Sequence, residues 1–337
     1  MSNISNKHFE AVGSYLRPAE LKEARVKFVE GQISATDLRS IEDRLITDVI
    51  KKQKEHGYQF HGEETTKGSL KLTGKITGEN HPFIKDFLFV KQFEEEGFEA
   101  KQTIPAPAQF LAELFRGNNS KNTREFYPNT EQLIEDIAQA YRTFFQEIYA
   151  AGCRTVQLDD CTWGMIVDDD FWKSMAGSGF TLEHEALQYL KVNNLAIEGK
   201  PEGLTINTHV CRGNYHSCYA TKGAYDSVAP YLFAHENVDT FYLEYDDERS
   251  GGFEPLKYVS ENKKVVLGLI TTKSPVLEDK ATVIARIHEA AKFVPLERLS
   301  LSPQCGFASC EIGNKLTEAE QWAKLDLVRE VAEEVWG

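Results

Sequence analysis

Short apolar runs recur along the chain, and each ends in polar or ionisable residues. Eight can be counted: FEAVGSY, YQFHGE, EAKQTIPAP, TVQLDD, LTINTHVC, VDTFYLEY, KVVLGLIT and RLSLSPQC. Their near-continuous hydrophobicity suits parallel strands buried on both faces. Stretches with apolar residues at helical spacing separate most of them. Residues 34–57 place Leu38, Ile41, Leu45, Val49 and Ile50 at that spacing, and Ser34 with Asp37 has the form of a capping box. Residues 130–152 repeat the pattern through Leu133, Ile137, Phe144, Phe145 and Ile148, with Gly152 as a C-terminal stop. Residues 278–293 follow with Val283, Ile284 and Ile287, and a last helix over 317–336 would close a ring.

Eight strands alternating with helices predict an α/β fold, a (β/α)₈ TIM barrel forming one domain over residues 1–337. In that fold, active-site residues sit at the C-terminal ends of the strands. A doubly wound sheet would carry a Gly-rich phosphate turn after its first strand, and the chain has no GxGxxG. Two segments, about 65–98 and 163–201, the second with its own helix, read as loops inserted on the barrel, the kind that act as lids or substrate clamps.

Composition narrows the class without naming a reaction. A hydrophobic fraction of 41% and a charged fraction of 27% over 337 residues are those of a soluble globular protein. The formal net charge of −14 argues against nucleic acid as a partner, since phosphates call for a basic face. No apolar run approaches the ~20 residues of a membrane helix, and MSNISNKHFE lacks the charged leader and apolar core of a secretory signal. Six cysteines in such a chain read as reduced thiols in the cytoplasm rather than a disulfide frame. Cys153 reads as packing beside a helix end. Cys161, Cys218 and Cys310 carry no ligand pattern, although Cys218 and Cys310 lie close to residues that do.

The strand ends carry the chemistry. Ser14, Glu63, Glu64, Asp159, Asp160, His209, Cys211, Glu244, Lys273 and Cys305 all fall at the C-terminal ends of runs, which a barrel gathers at one mouth. In a strand, residues i and i+2 share a face, so His209 and Cys211 can serve one ion. Cys305 precedes Gly306, which permits a tight turn. With Glu244 they make a set of two thiolates, one imidazole and one carboxylate, all groups that Zn²⁺ prefers. Such a site leaves zinc formally at about −1 and a bound thiolate electron-rich. Zinc binding deprotonates a substrate thiol whose free pKa is roughly 8.5. The thiolate then attacks an electrophilic carbon such as an activated methyl group. Asp159 and Glu63 suit the ammonium of an α-amino acid, and Ser14 suits its carboxylate.

VGSYLRP, HGEE (residues 61–64), QLDD, THVC, FYLEYDD, TTKSP and SPQCG, in that order, resemble the catalytic barrel of cobalamin-independent methionine synthase. The resemblance runs from about Val12 to Gly306 and on into the C-terminal helix. It implies a (β/α)₈ barrel and a Zn²⁺ held by His209, Cys211, Glu244 and Cys305. It also implies homocysteine held by Ser14, Glu63 and Asp159, and methyl transfer to its thiol. Family members have two barrels, and 337 residues leave room for the catalytic one.

The departures cluster on the donor side. The family's proton-donor histidine aligns with Lys273, its folate-binding tryptophan with Glu113, and an acidic folate contact with the neighbourhood of Met165. A lysine of ordinary pKa, about 10.4, is a poor acid at pH 7. Lys273 is expected among carboxylates, which would hold it charged. Methyltetrahydrofolate is therefore expected to be a weak donor, and a sulfonium or methylcobalamin a better one. A change of acceptor thiol, and a zinc-binding paralogue without activity, are the competing readings.

Overall fold

The computed structural model describes residues 7–58, 60–62, 71–174 and 179–337. Seven parallel strands follow one another around a sheet in chain order: β1 (Phe60–Gly62), β2 (Ala100–Pro105), β3 (Thr155–Asp160), β4 (Thr205–Val210), β5 (Thr240–Glu244), β6 (Lys264–Ile270) and β7 (Leu299–Pro303). The eighth position belongs to the first apolar run, but only as one parallel bridge, Phe9 to Leu301. Glu10 N donates to Leu301 O at 3.0 Å and Leu301 N to His8 O at 2.9 Å. FEAVGSY is thus not the full strand its composition predicts. Past Glu10 the chain is drawn inward: Glu10 meets the buried Lys101 Nζ at 3.1 Å, and Lys101 also donates to Ala11 O. Val12 then packs with Tyr242 and Val266 inside the ring.

The two faces of each strand differ in a way the near-continuous apolar runs conceal. Outward side chains, among them Val156, Leu158, Ile206, Phe241, Leu243, Val265 and Leu267, join the main core beneath the helices. The interior holds the small Val12–Tyr242–Val266 cluster together with buried Lys101, Gln157 and Asn207. The barrel is therefore apolar toward its helices and mixed toward its axis, and the polar column leads up to the mouth.

The helices begin where the sequence says they should. Ala35–Glu55 starts at the Ser34–Asp37 capping box, and Glu318–Trp336 at a second box made by Thr317 and Glu320. Thr130–Ala150 buries Leu133, Ile137, Phe144, Phe145 and Ile148. The last helix seals the closure: Tyr58 Oη donates to Leu325 O at 2.6 Å, and His8 stacks on Trp336. Both expected insertions turn out to contain barrel helices. Pro82–Lys91 lays Phe83, Phe87 and Val90 against β1 and β2. Leu182–Ile197 crosses from β3 to β4 and packs on Thr130–Ala150. Among the described residues, only the short helices Thr162–Ile166 and Asp169–Ser174 remain as decoration of the β3–β4 connection. Among the described residues, no helix is long and apolar enough to cross a membrane.

One buried carboxyl ties this layer together. Glu236 follows the helix Ala229–His235, is fully buried, and accepts from Asn193 Nδ2 at 3.2 Å. Burial, reinforced by the charge of Asp160, pushes its pKa up to about 8 against the opposing effects of Lys263 and Asn193. Unfolding restores the ordinary value of 4.5. The neutral acid therefore stabilises the fold fully below pH 4.5, and that contribution is lost as the pH rises through about 8. Glu236→Gln keeps the acceptor and removes the titration. Urea unfolding should show the variant more stable than the parent by a few kcal/mol near pH 8, with the gap closing near pH 5.

Candidate metal centre at the barrel mouth

Register sets the site. Asp159 of β3 pairs with His209 of β4, and Cys211 follows as β4 ends. Glu244 is the last residue of β5 and Cys305 lies just past β7. One donor atom from each of His209, Cys211, Glu244 and Cys305 falls within 4.8 Å of the others, and all four residues are buried. The two sulfurs stand 3.9 Å apart, and His209 Nε2 is 3.8 Å from Glu244 Oε1. These four are the residues expected from sequence, and together they form a group able to hold a metal ion.

Their surroundings hold each one in place. Gln157 Nε2 donates to Asp159 Oδ1 at 2.8 Å, and the same oxygen faces His209 Nδ1 at 3.4 Å, leaving Nε2 turned toward the cluster. Such a carboxylate behind a ligating imidazole fixes its ring and raises its basicity. Glu244 is gripped twice: Arg212 N reaches Oε1 at 3.1 Å and Arg249 Nη2 reaches Oε2 at 2.9 Å. Gly213 N donates to Cys211 Sγ at 3.3 Å, and Ser309 Oγ lies 3.5 Å from Cys305 Sγ.

The electrostatics of the group favour positive charge. Burial disfavours a charged His209, yet the hydrogen bond to Asp159 and the charges of Cys305, Asp159 and Glu244 outweigh it and push the imidazole up to about 9. Both thiols are held well above their ordinary range. For Cys211 the largest cause is a hydrogen bond with Cys161, and for Cys305 it is the one with Cys211, with burial adding to each. A bound cation reverses this logic, because ligands must bind deprotonated.

The remaining candidates divide. Ser14 is buried, with its carbonyl accepting from Phe307 N at 2.6 Å. A Cβ on Gly306 would lie 2.5 Å from Ser14 N, so this glycine is required by close approach rather than by a left-handed backbone. Asp159 keeps 32% of its side chain exposed, enough to meet a ligand while it steadies His209. Glu63 and Glu64 lie outside the described residues. Lys273 departs from expectation: among the described residues its Nζ is buried and no carboxylate is within hydrogen-bond or ion-pair reach of it. Cys153 is buried packing after Thr130–Ala150, as expected.

Sequence reasoning passed over three residues. Arg249 pairs with Asp246 and Asp247 as well as Glu244, and its signal was the DDER run directly after the β5 end. Gln304 was hidden beside Cys305. Cys161 follows Asp160 as Cys211 follows Val210 on the next strand, a coincidence visible only once the register is known.

Comparison with known proteins places this geometry in a family. Residues 122–334 match the cobalamin-independent synthase catalytic domain. The protein YxjH of Bacillus subtilis is 39% identical over 359 residues, covering 96% of this chain and 93% of its own. A methionine synthase of Saccharolobus islandicus is 22% identical over 324 residues, covering 88% and 86%. The crystal structure of a proposed vitamin-B12-independent methionine synthase from Listeria monocytogenes superposes with a TM-score of 0.78 at 39% identity over 98% of both chains. A B12-independent methionine synthase from Shewanella, solved with selenomethionine, shares the fold at a TM-score of 0.65 and 17% identity, over 98% and 97%. The chain belongs to the cobalamin-independent methionine synthase family, in its catalytic-domain part, and is a methyltransferase.

Removing one candidate ligand separates the site from its look-alikes. Cys305→Ser should lower metal affinity by more than about 100-fold, and Asp159→Asn by about 10- to 100-fold as a supporting residue. Cys310→Ser should change nothing. Metal content by plasma mass spectrometry after dialysis checks all three, and full loading of Cys305→Ser would make Cys310 the ligand.

Proposed function

We propose that this chain transfers a methyl group to the thiol of homocysteine, forming methionine, and that the ion at its mouth is Zn²⁺. The observation that carries the reading is the convergence of two sulfurs, an imidazole nitrogen and a carboxylate oxygen within 4.8 Å at one barrel end. Bonds of about 2.3 Å to a tetrahedral zinc put two sulfurs about 3.8 Å apart, and Cys211 and Cys305 stand at 3.9 Å. Zinc bound by His209, Cys211, Glu244 and Cys305 would supply a Lewis acid that lowers the pKa of an incoming thiol.

The chain's own residues would do the rest. Asp159, steadied by Gln157, would take the substrate ammonium together with Glu63. Ser14 would offer its hydroxyl and backbone NH to the substrate carboxylate. Arg249 and Arg212 N would hold Glu244 so that its carboxylate presents one oxygen inward. Burial of the four ligands would keep water from competing with the thiol as nucleophile.

The donor is proposed to be one that leaves without needing a proton. By the resemblance in sequence, Lys273 falls where the family keeps its proton-donating histidine and Glu113 where it keeps a folate-binding tryptophan. Glu113 here accepts from Gln109 Nε2 and pairs with Arg116. Zinc-loaded protein supplied with homocysteine should release about one proton per site on binding. It should make methionine from a sulfonium or methylcobalamin at least about tenfold faster than from methyltetrahydrofolate. Calorimetry in two buffers and methionine followed by mass are the measurements. Rapid turnover with methyltetrahydrofolate alone would overturn the donor assignment, and absence of any methionine would overturn the acceptor.

A further inference from the structure

Three hydrogen-bond donors at the mouth are buried and, among the described residues, unpartnered: Lys273 Nζ, Gln304 Nε2 and Ser14 Oγ. They lie on three consecutive stations of the ring, past β6, past β7, and past the Phe9 bridge that pairs with β7. Direct contacts tie the stations together. Gln304 Oε1 accepts from Thr272 N at 2.8 Å and from Thr272 Oγ1 at 2.7 Å, next to Lys273 in sequence. Ser14 packs against Gly306, two residues beyond Gln304.

The orientation of Gln304 is fixed by chemistry. A backbone N–H can only donate, so the atom facing Thr272 N is the amide oxygen, and the amide nitrogen points elsewhere with two hydrogens to give. A buried ammonium without an anion costs several kcal/mol, and an unsatisfied buried amide adds to it. Buried polar groups in folded proteins are nearly always hydrogen-bonded, so each unpaired donor calls for an acceptor. Across the mouth the polarity reverses: Asp159 on β3 is a half-exposed acceptor and Glu244 on β5 a buried one. A ligand lying between these sides meets donors at one end and carboxylates at the other.

We infer that Lys273 and Gln304 form a carboxylate-binding group, completing with Ser14 the anchor for the carboxylate of an amino-acid substrate. Lys273 then acts by binding, not as the acid in place of the family's histidine. The inference rests on the thiol-methylation reading. The carboxylate belongs either to the acceptor, homocysteine, or to a carboxylate-bearing sulfonium donor.

Calorimetry on the zinc-loaded full chain tests it with four probes: homocysteine; 3-mercaptopropylamine, which is homocysteine without its carboxylate; S-methylmethionine; and trimethylsulfonium. Lys273→Met should weaken homocysteine by about 30-fold or more and leave 3-mercaptopropylamine within about twofold. Lys273→Arg should restore most of the loss, and zinc content and Tm should match the parent in both. If homocysteine is unaffected but S-methylmethionine weakens about 30-fold and trimethylsulfonium does not, the carboxylate is the donor's and the group stands. Equal weakening of the carboxylate-bearing and carboxylate-free probes, or no weakening of either carboxylate, overturns the inference. Failure of the parent protein to bind either thiol overturns the acceptor reading itself, an outcome distinct from unchanged binding in the variant.

Discussion

Four potential ligand groups crowded into one buried space are the constraint around which this barrel is organised. Two thiols, a carboxylate and an imidazole have donor atoms within 4.8 Å of one another in a buried space. The fold holds the group together by hydrogen bonds and charge. His209 is raised to about 9, both thiols are held well above their ordinary range, and Arg249 and a backbone NH sit on Glu244. A divalent cation would do the same work at one point. The network of Gln157, Asp159, Arg249 and Arg212 is what keeps the four side chains converged.

Parallel strand geometry makes the convergence possible. Every strand of a barrel points its C-terminal end the same way, so residues far apart in sequence reach one mouth without any long-range motif. Cys211 and Cys305 are 94 positions apart and still meet. The mixed interior column of Lys101, Gln157, Asn207 and Tyr242 joins the floor to the mouth. Asp159 is therefore steadied from below while its outer face remains open to a ligand.

Much of this was legible in the chain because burial on both faces leaves a strong mark. Runs such as TINTHV and KVVLGLI could hardly be anything but inner strands, and their polar termini exposed the ligands. The first run misled because Glu10 and Val12 turn into the ring after a single bridge, which no composition shows. Pro82–Lys91 was lost in a polar, Gly-dotted stretch although its Phe83, Phe87 and Val90 pack on the barrel. Gly306 was read as a turn residue, whereas the approach of Ser14 is what excludes a side chain there. The surroundings of Lys273, Arg249 and Cys161 depend on how loops from different strands lie beside one another. Sequence spacing carries no information about that.

The central claim is that the ion at this mouth is a zinc that accepts a substrate thiol, and X-ray absorption at the zinc edge tests it most directly. The account predicts a first shell of two sulfurs and two nitrogen or oxygen atoms in the zinc-loaded protein. On addition of homocysteine the sulfur count should rise to three. A shell that keeps two sulfurs with homocysteine bound, or zinc that is not held by sulfur at all, would contradict it.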